Sequence, residues 1–289
     1  AIAERFLVAR FGEAIAHKTY AFISDGGIQE EISQGAGRIA GHLGLGNLIM
    51  FYDANEVQLS TMVDAVDTED VAAKYRAWQW NVIEIDGNDP LAIADALTKA
   101  NECNGRPTLI IGHTRMGLGA VTASGENFEG KCSTHGQPLS KSGADYAKTV
   151  ENLGGDPQDP WQIWPEVAAL YAKRQEELRM TVKERRAVYD AWTKENPDAA
   201  QQLDNYINGR LPKIDWDSIT VKANSATRNA SSAVLAELSS KIGNMIVSSA
   251  DLCNSDKTDG FLKHTTKIRR GDFSGAFLQA GVAELTMAV

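Results

Sequence analysis

The sequence predicts an α/β protein: a parallel sheet with helices on both faces, followed by the start of a second α/β domain. Three observations carry this. Short apolar runs alternate with helix-like segments through the first half of the chain. Those runs are nearly continuous in apolar residues, as strands buried on both faces require. After a polar, Gly/Pro-containing stretch the same alternation begins again.

The elements follow in order. Thr19 to Ile23 reads as a strand that ends in Ser24-Asp25-Gly26-Gly27. Ile28 to Leu43 reads as one helix with small residues (Gly35, Ala36, Ala40) on one side. Asn47 to Asp53 is a second strand, Thr68 to Trp78 a helix and Trp80 to Ile85 a third strand. Pro90 to Asn101 is a helix with Pro at an allowed first-turn position, and Pro107 to Gly112 a fourth strand. Met116 to Ser142 is a Gly/Ser/Thr-rich loop long enough to suggest a functional segment. Pro165 to Glu195 is strongly helical, and Asn208 to Asp217 reads as a linker. Thr227 to Ser240 (helix) and Met245 to Ser248 (strand) open the second unit.

Bulk properties exclude several functions. The net charge is −9 over 289 residues, so no basic stripe is available for nucleic acid. The Lys173–Arg186 stretch also holds Glu176, Glu177 and Glu184, and reads as a solvated helix face. Cys103, Cys132 and Cys253 are odd in number and far apart, which fits a reducing, cytoplasmic setting. No apolar run reaches the length of a membrane span. The chain lacks an initiator Met and a leader pattern. It starts and stops inside amphipathic segments (Ile2 to Phe11, Val282 to Val289), so a piece of a longer protein is expected.

A strand that ends in Asp-Gly-Gly before a helix puts a carboxylate and backbone amides at the carboxyl edge of a parallel sheet, where such folds bind ligands. A helix N-terminus favours an anion. Asp25 would repel a bare phosphate, so the combination makes sense with a divalent cation between them. Mg²⁺ and Ca²⁺ take oxygen ligands, and Mg²⁺ commonly joins protein oxygens to phosphates. Asn55, thirty positions on and just past the second strand, can supply a side-chain oxygen, and the Val57 carbonyl another. From the residues alone, Asp25-Gly26-Gly27 reads equally well as an ordinary turn. By the same standard His135 reads as a surface loop residue and Arg228 as one half of a surface salt bridge.

Thiamine-diphosphate enzymes carry Gly-Asp-Gly and, one helix and one strand later, Asn; here Ser24 stands in place of the first Gly. The flanking segments Glu30-Glu31-Ile32-Ser33, Ala40 to Ile49 and Phe51-Tyr52-Asp53-Ala54-Asn55 resemble transketolases specifically. So do Ser133-Thr134-His135-Gly136-Gln137-Pro138-Leu139, Ala226-Thr227-Arg228, Ser249-Ala250-Asp251-Leu252 through Ser255, and Gly281 through Met287. The resemblance implies a thiamine-diphosphate-binding fold with thiamine diphosphate and Mg²⁺ (or Ca²⁺) as cofactors. It implies metal ligands at Asp25, Asn55 and Val57, close diphosphate approach at Gly26, and an apolar wall at Leu59. It places His135 over the diphosphate and substrate, Asp251 and Glu284 on the pyrimidine side, and Glu30 at a dimer interface. Glu284 would bond the aminopyrimidine nitrogen and, with His135, do the acid–base work. Arg228 and Ser255 would bind the terminal phosphate of a sugar phosphate.

Four positions depart from the family pattern. Besides Ser24, Cys132 stands where a second His is common, Ala283 where an Arg is common, and Gly35 where a companion carboxylate to Glu30 is usual. His17, His42, His113 and His264 read as structural or solvent-facing. The resemblance divides the chain into a diphosphate-binding part (1–207), a linker (208–222) and the start of a pyrimidine-binding part (223–289). It implies transfer of a two-carbon ketol unit between sugar phosphates in the pentose phosphate pathway, by a homodimer whose site forms between subunits. A chain this short is expected to be inactive by itself. Two alternatives stay open: a deoxyxylulose-phosphate synthase or phosphoketolase, and a catalytically impaired regulatory or structural paralogue.

Overall fold

The computed structural model describes residues 1–288. Val289, the end of the segment assigned to the pyrimidine side, lies outside the described residues. In chain order the helices and strands are α1 (Ile2–Phe11), β1 (Thr19–Ser24), α2 (Asp25–Gln29), α3 (Glu31–Leu43), β2 (Leu48–Ala54), α4 (Val71–Ala77), β3 (Asn81–Asp86), α5 (Pro90–Glu102) and β4 (Thr108–His113). There follow α6 (Leu139–Ser142), α7 (Tyr146–Asn152), α8 (Pro165–Glu195), α9 (Pro197–Ile207), α10 (Thr227–Lys241), β5 (Val247–Ser249), α11 (Cys253–Asp256), β6 (Phe277–Gln279) and α12 (Glu284–Met287). The segment expected as one helix from Ile28 to Leu43 is two: Glu30 takes an extended conformation (φ −62°, ψ 133°) between α2 and α3.

Contacts group the chain into two units. The first comprises Tyr20–Glu30 and Leu48–Lys183. It holds a four-stranded sheet in the order β1-β2-β4-β3. Strands β2 and β3 both run parallel to β4, with Phe51 and Ile83 opposite Ile110. Ala96 and Ala100 of α5 pack on Ile49 and Ile110, with Phe51, Ile83, Ile85 and Leu97 around them. Alanines on the helix let it lie close to branched side chains on the strands. Alternation along β2 sends Tyr52 to the opposite face from Phe51. The registers Ala54↔His113 and Asp86↔His113 put three strand ends at one carboxyl edge. Asp89 caps α5 by accepting the Leu91 N–H, and Pro90 sits in the first turn.

The second unit comprises Ala1–Thr19, Glu31–Asn47 and residues 184–288. Its core joins Phe6 of α1 to Phe261, Ala276 and Phe277, with Leu235, Met245 and Val247 packed around them. A small parallel sheet pairs Val247 with Phe277 and Ser249 with Gln279. Arg10 ties α1 to the turn before β6 by donating to the carbonyls of Phe273 and Ser274. Phe11 packs edge-on against Trp192 and Tyr206. The 31-residue α8 contributes residues 165–183 to the first unit and residues 184–195 to the second; it has no buried residue and carries the pairs Arg174–Glu177 and Arg179–Glu176 in its first-unit part, as its mixed charge implied. Residues 208–215 hold no helix or strand.

Candidate functional site

At the carboxyl edge of the first unit, Asp25 opens α2 and is only 2% exposed. It is therefore not a solvated turn residue. Its Oδ1 accepts the Tyr52 hydroxyl at 2.6 Å. Its Oδ2 accepts the backbone N–H groups of Asn55 at 3.0 Å and Glu56 at 3.2 Å. Glu56 takes a left-handed backbone (φ 64°), uncommon for a residue with a side chain, and this turns the loop past β2 over Asp25. All three donors are neutral. Among the described residues no cationic side chain pairs with Asp25. A buried carboxylate costs several kcal/mol (on the order of) when no opposite charge repays it, so this geometry is suited to a cation. Burial first, and the Asp25 carboxylate second, push the Tyr52 phenol well above its ordinary value. Tyr52 therefore stays a donor.

Asn55 follows directly on β2. Its Oδ1 accepts the Val57 N–H at 3.0 Å, and its Nδ2 donates to Asp53 Oδ2 at 3.4 Å. Val57 is buried and bridges to Met62, which fixes the loop that carries its carbonyl. Asp53 points to the other face, where Thr114 donates to it. The two glycines after Asp25 differ in surroundings. A Cβ on Gly27 would meet Ile23 Cγ1 at 2.9 Å, whereas one on Gly26 would meet nothing within 4 Å. Gly27 serves packing; Gly26 leaves its backbone open to a ligand.

The long loop brings His135 to the same neighbourhood. Cys132 Sγ lies 3.8 Å from Met62 Sδ, and a Cβ on Gly136 would sit 3.6 Å from Leu59. Gly136 has φ 67°, the left-handed state that suits glycine, immediately after His135. His135 Nδ1 is buried without a hydrogen-bond partner, and so is Gln58 Nε2 on the neighbouring loop. Such orphans in a native fold call for a bound group. The open backbone at Gly26, the anionic Asp25 and these two atoms together fit a metal–diphosphate ligand. Leu59 is 69% exposed, available as an apolar wall. Glu30 is exposed.

The remaining candidates belong to the second unit. Arg228 lies in the first turn of α10, Asp251 just after β5 with φ 66°, Ser255 in α11 and Glu284 at the start of α12; all four are exposed. Ser249, buried beneath this loop, donates to Asp256 and accepts the Leu252 N–H. Gly35, where a carboxylate was expected from the family pattern, is explained by packing: a Cβ there would collide with Thr286 Oγ1 of α12. Arg38 of α3 donates to the Ala280 carbonyl at 3.0 Å beside it. His17, His42, His113 and His264 are solvent-facing. Tyr52, Gln58 and the Glu56 N–H were not singled out from sequence. Tyr52 alone left a signal there, since a tyrosine in an apolar strand needs a partner for its hydroxyl.

Among the described residues no cluster of three or more His, Cys, Asp or Glu could hold a metal, and no helix is long and apolar enough to cross a membrane. The first statement is compatible with a ligand set of one carboxylate, one amide oxygen and one backbone carbonyl.

Comparison with known proteins bears on this geometry. Residues 1–212 match the family described as transketolase, thiamine diphosphate binding domain. Transketolase 2 of Escherichia coli (strain K12) is 34% identical over 99% of this chain, which spans 43% of that protein. Among solved structures, a transketolase from Leishmania mexicana superposes with a TM-score of 0.87 at 28% identity, over 99% of this chain and 42% of its own. A transketolase from Pichia stipitis in complex with sedoheptulose-7-phosphate gives 0.81 at 28% identity, over 99% of this chain and 44% of its own. The chain thus covers less than half the length of these relatives. With a family match over most of its residues around the Asp25 site, the chain belongs to the transketolase family.

Proposed function

We propose that this chain contributes to a transketolase that moves a two-carbon ketol unit from a ketose phosphate to an aldose phosphate in the pentose phosphate pathway. The observation that carries the reading is Asp25: a buried carboxylate held by neutral donors only, beside an open glycine backbone. In this reading Asp25, Asn55 and the Val57 carbonyl hold Mg²⁺, or Ca²⁺ in its place, and Gly26 lets the diphosphate close on the backbone. Thiamine diphosphate, when bound, supplies the carbon centre that cleaves and re-forms the carbon–carbon bond. Leu59 excludes water from its ring. His135 donates from its orphaned ring edge to the diphosphate or substrate, and Glu284 holds a proton at the pyrimidine side. Arg228 and Ser255 receive the sugar's terminal phosphate, and Asp251 positions the cofactor. The diphosphate part is residues 1–207, the linker 208–222 and the pyrimidine part 223–289. Two copies pair as a homodimer through a surface that includes Glu30, in the cytoplasm.

The test is calorimetric titration with thiamine diphosphate. Binding is expected with Mg²⁺ and lost when the metal is chelated. No binding, or binding indifferent to metal, would overturn the cofactor assignment.

A second reading, cofactor binding with impaired transfer, is favoured by the Gly35–Thr286 contact, which takes the space of the carboxylate usual in the family. Ketol transfer from xylulose 5-phosphate, measured on the full-length protein, separates the two. Transfer at the level of the relatives removes the second reading; metal-dependent binding without transfer favours it.

A further inference from the structure

We propose that Tyr52 is the positioning residue of the Asp25 carboxylate, and that it tunes the site toward Mg²⁺ over Ca²⁺. This rests on the reading of Asp25 as a metal ligand. A carboxylate turns easily about its last torsion, which is broad and two-fold rather than staggered. The two backbone N–H groups of Asn55 and Glu56 both fall on Oδ2, so without a second anchor that rotation is restrained by the loop alone. Tyr52 bonds the other oxygen, Oδ1, at 2.6 Å. Three donors on two oxygens fix the plane of the group, and with it the direction of the lone pairs left for a cation.

Tyr52 is well placed for this task. It is 6% exposed and sits inside β2, in register opposite Ile111 of β4, so its ring cannot follow a displaced carboxylate. The Asn55 and Glu56 donors, by contrast, lie on a loop with a left-handed residue. The rigid element therefore holds one oxygen and the loop holds the other.

The identity of the ion decides how much this matters. Mg²⁺ demands near-ideal octahedral geometry at roughly 2.0–2.1 Å, whereas Ca²⁺ accepts six to eight oxygens in flexible arrangements. A carboxylate free to turn therefore penalises Mg²⁺ more than Ca²⁺. Groups that orient a metal ligand without touching the metal typically change affinity by about 10–100-fold.

The experiment is titration of the full-length protein with Mg²⁺, and separately with Ca²⁺, at saturating thiamine diphosphate. Parent and Tyr52→Phe are compared; the substitution keeps the ring and removes the hydroxyl. Mg²⁺ affinity is expected to fall about tenfold, and Ca²⁺ affinity by less than about threefold. An unchanged Mg²⁺ affinity, or an equal loss for both ions, overturns the proposal. The second outcome would mark a general loosening of the core. A parent chain that binds neither ion overturns the metal reading of Asp25 itself, a failure distinct from that of Tyr52. Should Tyr52→Phe not fold, the parent labelled at the tyrosine ring carbon that bears the hydroxyl gives the answer by NMR. The Tyr52 signal shifts on Mg²⁺ addition if its bond to Asp25 carries the effect, and a stationary signal overturns it.

Discussion

Asp25 and Glu284 are both acidic residues assigned to one cofactor, yet the fold treats them in opposite ways. Asp25 is 2% exposed and accepts three hydrogen bonds from two successive segments of its own unit. Glu284 begins a four-residue helix and faces solvent. Arg228, Asp251 and Ser255 share its exposure. The side proposed for the metal is part of the fold's own hydrogen bonding, so changing it should disturb structure and binding together. The side proposed for the pyrimidine and phosphate consists of exposed polar and charged groups, so changing it should leave structure almost untouched.

The largest effect is expected at Asp25. In Asp25→Ala the Tyr52 hydroxyl and two backbone N–H groups lose their acceptor. Each buried orphan costs about 1–3 kcal/mol, offset in part because an unpaired buried charge is removed as well. Thermal denaturation should show a net loss of about 3 kcal/mol, and calorimetry should show no metal-dependent cofactor binding. Retained binding would mean that the metal sits elsewhere, and the contrast with Glu284 would lose its basis.

Next comes the seat of α12 on α3. Ala for Gly inside a helix normally stabilises by about 1 kcal/mol. At Gly35 a Cβ would collide with Thr286, and overpacking of this kind costs about 1–3 kcal/mol. The collision wins, so Gly35→Ala should be destabilised by about 1–2 kcal/mol, with Thr286→Ala restoring part of it. A Gly35→Ala chain that melts at or above the parent temperature would show that α12 does not rest on α3, and that Glu284 is held by other contacts.

These contacts mark the limit of what the sequence discloses. The four large strands and the helix Pro165–Glu195 follow from local apolar and helical patterns, whereas Asp25 and Asn55 stand out through the resemblance to thiamine-diphosphate enzymes and not from the residues alone. The break at Glu30 carries no glycine or proline and left no mark. The helix Pro197–Ile207 did leave one, since Pro197 occupies a first-turn position after Asn196. The core that joins Phe6 to Phe277 spans almost the whole chain, and β6 is three residues long. Pairings of that range depend on tertiary context rather than on any local period. The Tyr52–Asp25 bond needs both the strand alternation and the position of α2, of which only the first can be read from residue order.

A smaller effect sharpens the comparison within the second unit. Glu4 is a buried carboxylate there, bonded to Arg5, to the Asn47 side chain and to the His17 N–H. Burial by itself would raise its pKa; the Arg5 and His17 hydrogen bonds outweigh that and hold it below the ordinary 4.5. A lowered folded pKa means that the unfolded chain takes up the proton first. The stabilisation is therefore complete above the ordinary value and is lost as the pH falls through the folded one. Melting temperatures followed from pH 6 to pH 3 (about) should fall more steeply for the parent than for Glu4→Gln. Equal slopes would show that Glu4 is solvated like Glu284, which would erase the distinction between held and displayed carboxylates in this unit.

The smallest structural effect is expected at the displayed residues themselves. Glu284→Gln and Arg228→Ala each alter an exposed side chain, and surface changes of this sort usually stay within about 0.5 kcal/mol. Both variants should melt with the parent and retain metal-dependent cofactor binding, because the Asp25 site is built by the other unit. Their losses should differ in kind. In the full-length protein, under the proposed roles, Glu284→Gln should depress turnover by removing a proton-holding group, whereas Arg228→Ala should chiefly raise the sugar-phosphate KM by removing a phosphate contact. A Glu284→Gln variant that unfolds, or that melts well below the parent, would show that this carboxylate supports the fold as Asp25 does.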